Sequence, residues 1–520
     1  YSGPETFDVS GQYLIPGFID GHCHVESSKL NVDEFARAIL PTGTTAVVVD
    51  PHELANVLGL EGIEYMLAAS KGLPLRVYIM LPSCVPASPF ESPHRTLEAS
   101  DLTELLGRQR VLGIAEMMNY PAAIAGEAEA MSKMAAAGYR HIDGHAPGVT
   151  GRALNAYLVA GPCSDHECTT MAEALEKRRL GMWIMIREAS MIRNLVDLLP
   201  LVSEYGTENC MFVTDDREAS TLLSEGHINS MVRTAVEHGL PAADAVKLAT
   251  LNVARYHGLN NLGAVAPGYA ADISVVPNLR DFKPTAVFRS GRLVALNGRS
   301  VPFESSRPPR SVLETVHIRA ISAEDFGLAA DGEREIRVVD LVPDQVLTRD
   351  GRAPAPVHDR HFVADPSRDL VKLAVVERHH ALGRIGKGFV RGFGLRDGAF
   401  GSTIAHDAHN VVVAGVDDAD MALCVSRLAE LGGGLVVARH GEVVGELPLP
   451  IAGLMSDAPA AEVAAGLAGL EAMLREMGVL IDTPFMYLGF LALSVIPELR
   501  LTDQGLIDVR NFERVPLAIS

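Results

Sequence analysis

The sequence predicts an α/β protein: a (β/α)8 barrel followed by antiparallel β-structure and an α+β domain. The chain has 520 residues, enough for about three domains of ordinary size. Its 48% apolar and 21% charged residues are typical of a globular protein. In the first 220 residues, short β-rich runs alternate with longer helical segments, and this alternation predicts a parallel sheet.

The eight predicted strands of this sheet are short and apolar, with Gly or Pro at most junctions. They cover Phe18–Asp20, Thr45–Asp50, Arg76–Leu81, Val111–Glu116, His141–His145, Gly161–His166, Met182–Arg187 and Met211–Thr214. Helical periodicity between them predicts helices such as Val32–Leu40, Leu54–Ser70 and Met171–Arg178. Eight strand–helix repeats favour a closed barrel, because an open sheet usually has fewer strands.

Beyond the predicted barrel the pattern of apolar residues and glycines in the sequence changes. Helices at Ala243–Thr250 and Asn252–Tyr256 lead into alternating apolar residues and Gly turns at 263–298, which predict antiparallel β-structure. The carboxy-terminal region is predicted to contain strands and one long amphipathic helix. These strands are Val316–Ala320, Ile336–Leu341 and Leu370–Val376, and the helix is Pro459–Met477.

The charge balance limits the kind of partner. With 45 Lys+Arg against 65 Asp+Glu, the net charge is −20. This argues against nucleic acid and against a polybasic membrane contact, since both depend on clustered basic residues. The longest apolar run, Tyr487–Ile496, is about half the roughly 20 residues of a membrane helix, so no membrane segment is predicted. Six scattered cysteines without CxxC spacing indicate reduced thiols and a cytoplasmic location.

The strongest chemical signal is the His22-x-His24 pair in the segment 16–28. Side chains alternate along a strand, so both imidazoles point to the same side and can chelate one divalent ion. An HxH pair alone is a weak signal in a chain with 18 His. His52-Glu53 does not extend to a metalloprotease HExxH motif, because position 56 is Asn.

Further candidate ligands occur at the carboxyl ends of other predicted strands: Glu116, His145, His166 and Asp215. In a (β/α)8 barrel, all of these project onto one catalytic face. Four His, one Glu and one Asp can hold two divalent metals, with Glu116 bridging them.

Each candidate also has a simpler explanation. His145 could be an ordinary turn histidine, and His166 could lie beside a helix cap. Asp215 and Asp216 could together cap the following helix. Glu116 is harder to explain in this way, because a carboxylate in an apolar run is costly to bury without a partner or a metal. Six such coincidences in strand order favour the metal site.

These residues lie in motifs that resemble the prokaryotic-type adenine deaminases of the amidohydrolase superfamily. The matching segments are GHCHVESS at 21–28, AEMMNYP at 115–121, DGHAPG at 143–148, SDHE at 164–167, FVTDDR at 212–217, STIAHDAHN at 402–410 and GFLALSVIPELRLTDQGLIDV at 489–509. Many amidohydrolases carry a carboxylated Lys at the end of the fourth strand. Glu116 at that position fits the adenine deaminase pattern.

The resemblance implies a metal-dependent hydrolase that deaminates adenine to hypoxanthine and ammonia through a metal-bridging hydroxide. It favours two Mn or Fe ions, although imidazole and carboxylate ligands suit Zn almost equally. Asp215 is expected to move the proton of the hydroxide, and Glu167 and Asp216 are weaker candidates for a second proton transfer. Glu26 is expected on the same pleat face as His24, accepting an N–H from the base; capping or support of a ligand His is the alternative.

The resemblance also suggests how the chain divides. We expect a remnant of a β-sandwich at 1–15 that lacks its first strands, the catalytic barrel at 16–258 and the return of the sandwich at 259–300. A linker at 301–311 and an adenine-deaminase-type domain at 312–520 complete the chain. The large apolar carboxy-terminal region favours a homodimer.

Three questions stay open at this level. His406 and His409 could close over the barrel mouth, bind an extra ion or lie in a surface loop. Arg187 could line the pocket or form an internal ion pair. For the function, the alternatives are an N-acetyl-sugar deacetylase or cyclic amidase and, from another class, a non-catalytic amidohydrolase-like scaffold.

Overall fold

A barrel of eight parallel strands occupies the amino-terminal half of the computed structural model, which describes residues 6–332, 334–343 and 345–519. The first five residues of the predicted 1–15 segment lie outside the described residues. A short strand, β1 (Tyr13–Pro16), precedes the barrel. The barrel strands are β2 (Phe18–Cys23), β3 (Thr44–Val49), β4 (Arg76–Leu81), β5 (Val111–Met117), β6 (Ile142–Gly144), β7 (Ser164–Asp165), β8 (Trp183–Arg187) and β9 (Cys210–Val213).

Two parallel ladders, β2–β6 and β7–β9, make up this barrel. They join through main-chain hydrogen bonds: Cys163 N donates to Ile142 O at 3.0 Å, and Asp215 N donates to His22 O at 3.1 Å. The predicted α/β class with a (β/α)8 barrel is confirmed.

Helices surround the strands and bury their apolar faces against them. They are α1 (Val32–Ile39), α2 (His52–Leu58), α3 (Leu60–Ala69), α4 (Ala99–Leu106), α5 (Tyr120–Ala125), α6 (Ala128–Ala136), α7 (Gly151–Ala160), α8 (Met171–Arg179), α9 (Leu195–Tyr205), α10 (Ala219–Ser224), α11 (Ile228–Glu237), α12 (Ala242–Leu248) and α13 (Leu251–Tyr256). The single helix predicted over Leu54–Ser70 is wrong. Gly59, at φ 62° and ψ −138°, ends α2 and turns the chain into α3.

A five-stranded antiparallel sheet lies beside the barrel, in the order β1, β10 (Ile273–Val276), β11 (Ala286–Arg289), β12 (Arg292–Leu296) and β13 (Arg299–Ser300). Strand β1 pairs with β10 from Tyr13 opposite Val276 to Pro16 opposite Ile273. The chain before the barrel and the chain after it therefore share one sheet.

The carboxy-terminal domain is built on a nine-stranded mixed sheet. Its strands and helices are β14 (Glu335–Leu341), β15 (Thr348–Pro354), β16 (Val357–His358), β17 (His361–Phe362), β18 (Leu370–Val376), β19 (Ile385–Arg391), β20 (Ala399–Ser402), β21 (Val411–Gly415), α14 (Asp418–Glu430), β22 (Gly434–Arg439), β23 (Glu442–Pro448), α15 (Ala460–Glu476), α16 (Pro484–Phe490), β24 (Leu499–Thr502), β25 (Gly505–Asp508), β26 (Glu513–Val515) and β27 (Ala518–Ile519). The main sheet runs β15-β14-β19-β18-β21-β20-β22-β23, with β27 paired to β14.

The strand predicted at Val316–Ala320 is wrong. Those residues join no ladder, although His317 N donates to Arg378 O at 2.7 Å and His317 O accepts from Ala381 N at 3.1 Å. Among the helices of the described residues, none combines the length and apolar character that crossing a membrane requires.

The carboxy-terminal domain packs directly against the barrel. Apolar side chains from both parts, including Leu30, Leu454 and Phe490, belong to one continuous buried cluster. Polar contacts accompany it: Ser88 Oγ lies 2.6 Å from Ser494 Oγ, and Asn31 N donates to Ser456 O at 2.9 Å. Loops of this domain consequently reach the carboxyl end of the barrel strands.

Candidate active site

The HxH pair lies at the carboxyl end of β2, and both imidazoles point into the barrel mouth. His22 Nε2 is 3.8 Å from Glu116 Oε1 and 3.4 Å from Asp215 Oδ1. His24 Nε2 is 3.4 Å and 3.2 Å from the same two oxygens. The main-chain carbonyl of Asp50 accepts from His24 Nδ1 at 3.0 Å, which leaves Nε2 directed at the carboxylates. Burial lowers the pKa of His24, but Asp215 outweighs it and raises this pKa well above its usual value.

Glu116 at the end of β5 stands between two pairs of imidazoles. Its Oε1 faces the HxH pair, while its Oε2 is 2.8 Å from His145 Nδ1 and 3.3 Å from His166 Nε2. Burial raises the pKa of Glu116, but His166 and His145 hold it well below its usual range. Burial lowers the pKa of His166, yet the Glu116 carboxylate raises it to about 9. One carboxylate therefore joins two imidazole pairs, as expected for a bridging ligand.

Asp215 completes the cluster from the end of β9. It has φ 59°, a left-handed conformation that is uncommon for residues other than glycine but is tolerated by Asp. Its Oδ1 faces the HxH pair, and its Oδ2 accepts from Arg187 Nη1 at 3.0 Å. Burial raises the pKa of Asp215, but Arg187 holds it well below its usual range.

Arg187 both lines the pocket and forms a buried ion pair. It is 2% exposed and binds both carboxylate oxygens of Glu167, from Nη1 to Oε1 and from Nη2 to Oε2, the latter at 3.0 Å. Burial raises the pKa of Glu167, but Arg187 more than compensates and the pKa is lowered. Glu167 is therefore an anion that holds Arg187 in place beside Asp215.

The donor set fits a pair of divalent cations. Four imidazoles and two carboxylates, all buried, form overlapping groups whose candidate ligand atoms lie within 4.8 Å of one another, and such N/O sets suit Zn, Fe and Mn. Among the described residues, His22 Nε2 is buried without a hydrogen-bond partner, which is the state of a ligand atom directed at a metal. The amidohydrolase fold family is metal-dependent, and this cluster is the candidate position for the metals.

The structure separates the two acidic residues predicted near the substrate. Asp216 lines the pocket, and its Oδ1 is 2.5 Å from Ser27 Oγ. Glu26 is fully buried behind the pocket, is not part of its lining among the described residues, and accepts from Leu54 N at 3.3 Å. The pleat alternation stops before Glu26, because Val25 has helical backbone angles and starts a short 3₁₀ turn. Burial raises the pKa of Glu26 to about 8.

His52 belongs to the cluster, although it was not among the site residues predicted from the sequence. Its Nδ1 is 3.1 Å from Asp50 Oδ2 and 3.7 Å from Glu116 Oε1. Asp50 and His52 directly follow β3, so the strand-end rule that selected Glu116 also selects them. Burial lowers the pKa of His52, but Asp50 and then Asp407 outweigh it and raise this pKa well above its usual value.

The carboxy-terminal domain supplies the rest of the pocket lining. His406 and Asp407 reach the barrel mouth together with three apolar residues, Phe490, Leu493 and Ile496. The His406 ring stacks on Phe490 with 4.4 Å between ring centroids and 9° between planes. The loop that carries His406 therefore lies over the barrel mouth, which is one of the three alternatives considered from the sequence.

His409 lies deeper and contacts the barrel residue Glu53. The N–H of Ala405 donates to His409 Nδ1 at 3.2 Å, so the ring proton sits on Nε2, which is 3.6 Å from Glu53 Oε2. Glu53, His406 and His409 form a buried group at the contact between the two domains, and their candidate ligand atoms lie within 4.8 Å of one another.

Comparison with known proteins gives matches along the whole chain. Residues 13–294 match the model of the amidohydrolase family, and residues 345–513 match the adenine deaminase C-terminal domain. The chain is 47% identical over 520 residues to "Adenine deaminase 2" of Carboxydothermus hydrogenoformans, covering 100% of this chain and 91% of that protein. It is also 47% identical over 523 residues to "Adenine deaminase" of Oleidesulfovibrio alaskensis, covering 99% and 90% of the two chains.

Proposed function

This chain belongs to the adenine deaminases of the amidohydrolase family, and from that premise we propose that it hydrolyses adenine to hypoxanthine and ammonia at the Glu116 cluster. The reaction breaks the bond between C6 and the exocyclic nitrogen and forms a bond from C6 to a water oxygen. The observation that carries the proposal for the site is the Glu116 carboxylate, with one oxygen toward His22 and His24 and the other toward His145 and His166.

We propose that these five residues and Asp215 hold two divalent cations, Mn or Fe by family resemblance and Zn as the alternative. When bound, such cations lower the pKa of a shared water so that hydroxide is available near neutral pH. Glu116 contributes one negative charge to both positions, and Asp215 contributes a second beside the HxH pair. The four imidazoles would bind a metal in their neutral form, so the two carboxylates supply two negative charges against the four positive charges of two divalent cations. The loaded site would therefore stay net positive, which favours hydroxide over water.

Asp215 is the proposed proton carrier. Its Oδ1 faces both imidazoles of the HxH pair at 3.2 to 3.4 Å, and Arg187 fixes its Oδ2. A carboxylate fixed in this way can accept the proton of the attacking water and deliver it toward the leaving nitrogen without changing position. Arg187 keeps Asp215 ionised until that proton arrives.

Of the two candidates for the second proton transfer, we propose Asp216. It lines the pocket and is bonded to Ser27, whose hydroxyl also lies 2.9 Å from Glu53 Oε1. Glu167 also lines the pocket, but Arg187 binds both of its oxygens, and this ion pair keeps Glu167 in place beside Arg187. We therefore assign Glu167 to positioning Arg187, and we assign Glu26 to holding the first turn of α2, where it accepts from Leu54 N.

The remaining features of the protein are proposals of the same kind. Sequence pattern supports the division into 1–15, 16–258, 259–300, 301–311 and 312–520, with the β1–β10 ladder tying the first segment to the third. The apolar carboxy-terminal region supports a homodimer, which sedimentation would test. Six free cysteines support a cytoplasmic location.

The direct test is ammonia release from adenine by protein reconstituted with Mn(II), Fe(II) or Zn(II). We expect two metals per chain by elemental analysis, with ammonia and hypoxanthine formed in equal amounts. Adenosine and an N-acetyl amino sugar serve as comparison substrates. A protein that binds two metals but releases no ammonia from adenine would overturn the proposal.

A further inference from the structure

A carboxylate from the carboxy-terminal domain lines the same pocket as Glu116. We propose that this residue, Asp407, accepts a hydrogen bond from the ring N–H of adenine and so selects the free base. The inference rests on the proposed function, because it names the residue that recognises the substrate of that same site.

Asp407 has an oxygen that no protein group occupies. The residue is 1% exposed and lines the pocket. Its Oδ1 is 3.6 Å from His52 Nε2 and 3.6 Å from His406 Nδ1. Its Oδ2 is buried and, within the part of the chain that the structure describes, has no hydrogen-bond partner. A buried carboxylate oxygen without a donor is costly, so a donor from the ligand is the partner that fits.

The main chain around Asp407 is held from both domains. Glu91, on the loop after β4, accepts from the N–H groups of Asp407 and Ala408 at 3.4 and 3.3 Å through Oε2. On the other side, His406 N donates to Gly489 O at 3.1 Å. A carboxylate on such a support stays in one position, as selective recognition of a small rigid base requires.

The distance from the reacting centre suits a purine. His52 spans the gap, with Nδ1 3.7 Å from Glu116 Oε1 and Nε2 3.6 Å from Asp407 Oδ1. Asp407 is therefore no farther from the proposed metal-binding carboxylate than the width of one imidazole ring plus these two contacts. With C6 of adenine at the cluster, the five-membered ring points away from it, and that ring carries the N–H.

This arrangement predicts which substrates are rejected. Adenosine and 9-methyladenine carry a substituent at N9 and have no ring N–H, so either would leave Asp407 Oδ2 buried without a donor. Sites built to pair with a polar group discriminate strongly against analogues that lack it. The free base is thus favoured by a hydrogen bond that the nucleoside cannot make.

The test measures kcat/KM for adenine and the inhibition constant of 9-methyladenine in the wild type and in Asp407→Asn. We expect Asp407→Asn to lower kcat/KM for adenine about 10- to 100-fold and not to weaken the binding of 9-methyladenine, whose inhibition constant should stay the same or fall. Asp503→Asn is the matched control. Asp503 is also 1% exposed and lies at the same interface, where it accepts from Ser92 Oγ at 2.8 Å, but it does not line the pocket.

Equal losses for adenine and 9-methyladenine at full metal content would show that Asp407 is merely structural and would overturn the inference. An unchanged kcat/KM for adenine would do the same. Should Asp407→Asn fail to fold, Asp407→Ser, a smaller neutral replacement, is measured with the same expectation. Failure of the proposed function itself is a different result, since the metal-loaded wild type would then release no ammonia from adenine.

Discussion

Replacing Arg187 by Met removes a buried cation that contacts two buried carboxylates at the barrel mouth. The guanidinium is 2% exposed and contacts both oxygens of Glu167 and Oδ2 of Asp215. Removing one partner of a buried ion pair leaves an uncompensated charge and typically costs about 3–5 kcal/mol. We expect Arg187→Met to lower the free energy of unfolding by that amount, measured from urea titrations by circular dichroism.

The matched variant is Arg187→Lys, which keeps the positive charge but replaces the planar guanidinium and its paired N–H donors by a single ammonium group. We expect it to lose only about 1–2 kcal/mol, because one or two of the three hydrogen bonds are lost while the charge is retained. In both variants turnover should fall about 10- to 100-fold with two metals still bound, since Asp215 loses the group that orients it. The double variant Glu167→Gln/Arg187→Met should regain part of the stability lost in Arg187→Met. An Arg187→Met protein with wild-type unfolding and turnover would refute this account.

Three further predictions concern the ligand cluster, the barrel backbone and pH. Glu116→Gln should reduce metal content below one ion per chain and turnover at least about 100-fold, measured by elemental analysis and ammonia release; retained turnover would remove Glu116 from the site. Gly144→Ala would place a Cβ 2.2 Å from Ser164 O, so we expect a loss of about 1–3 kcal/mol, while Gly107→Ala, with nothing within 4 Å, is the control; equal melting temperatures would contradict this. Burial lowers the pKa of His257 to about 3, and its Nε2 donates to Gly21 O at 2.9 Å. Below pH 6.5 the unfolded chain therefore binds a proton at His257 that the folded chain does not bind, and the free energy of unfolding falls about 1.4 kcal/mol per pH unit between pH 6.5 and 3. His257→Gln should remove this part of the pH dependence, and parallel plots of unfolding free energy against pH for the two proteins would disprove it.

Strand-end reasoning recovered most of the cluster because a parallel barrel brings the carboxyl ends of distant strands to one face. Glu116 and Asp215 are far apart in the chain, yet each follows a short apolar run, and that local feature is visible in the sequence. His52 follows β3 in the same way and was missed, because it was compared only with the HExxH motif of another fold. The bounds of α2 and α3 were missed for a local reason, the non-helical ψ of Gly59.

Other parts of the site depend on contacts that no local pattern encodes. Asp407 faces His52 only because Glu91 and Gly489 hold its loop over the barrel. Glu26 lies outside the pocket because the backbone turns at Val25, directly after β2. Counting alternate side chains along a predicted strand does not reveal such a turn. Arg187 gave no indication in the sequence of which carboxylates it would bind.

The position of Asp407 in the chain has a consequence for biosynthesis. The barrel strands and all six proposed ligands precede it, so a growing chain can complete the metal cluster while the residues around Asp407 are still inside the ribosome. Such an intermediate would carry the proposed metal site without the part of the pocket lining formed by Asp407 and Phe490. Its site would be open to water and would not discriminate between substrates. Selective chemistry begins only once the carboxy-terminal domain has been made and has docked.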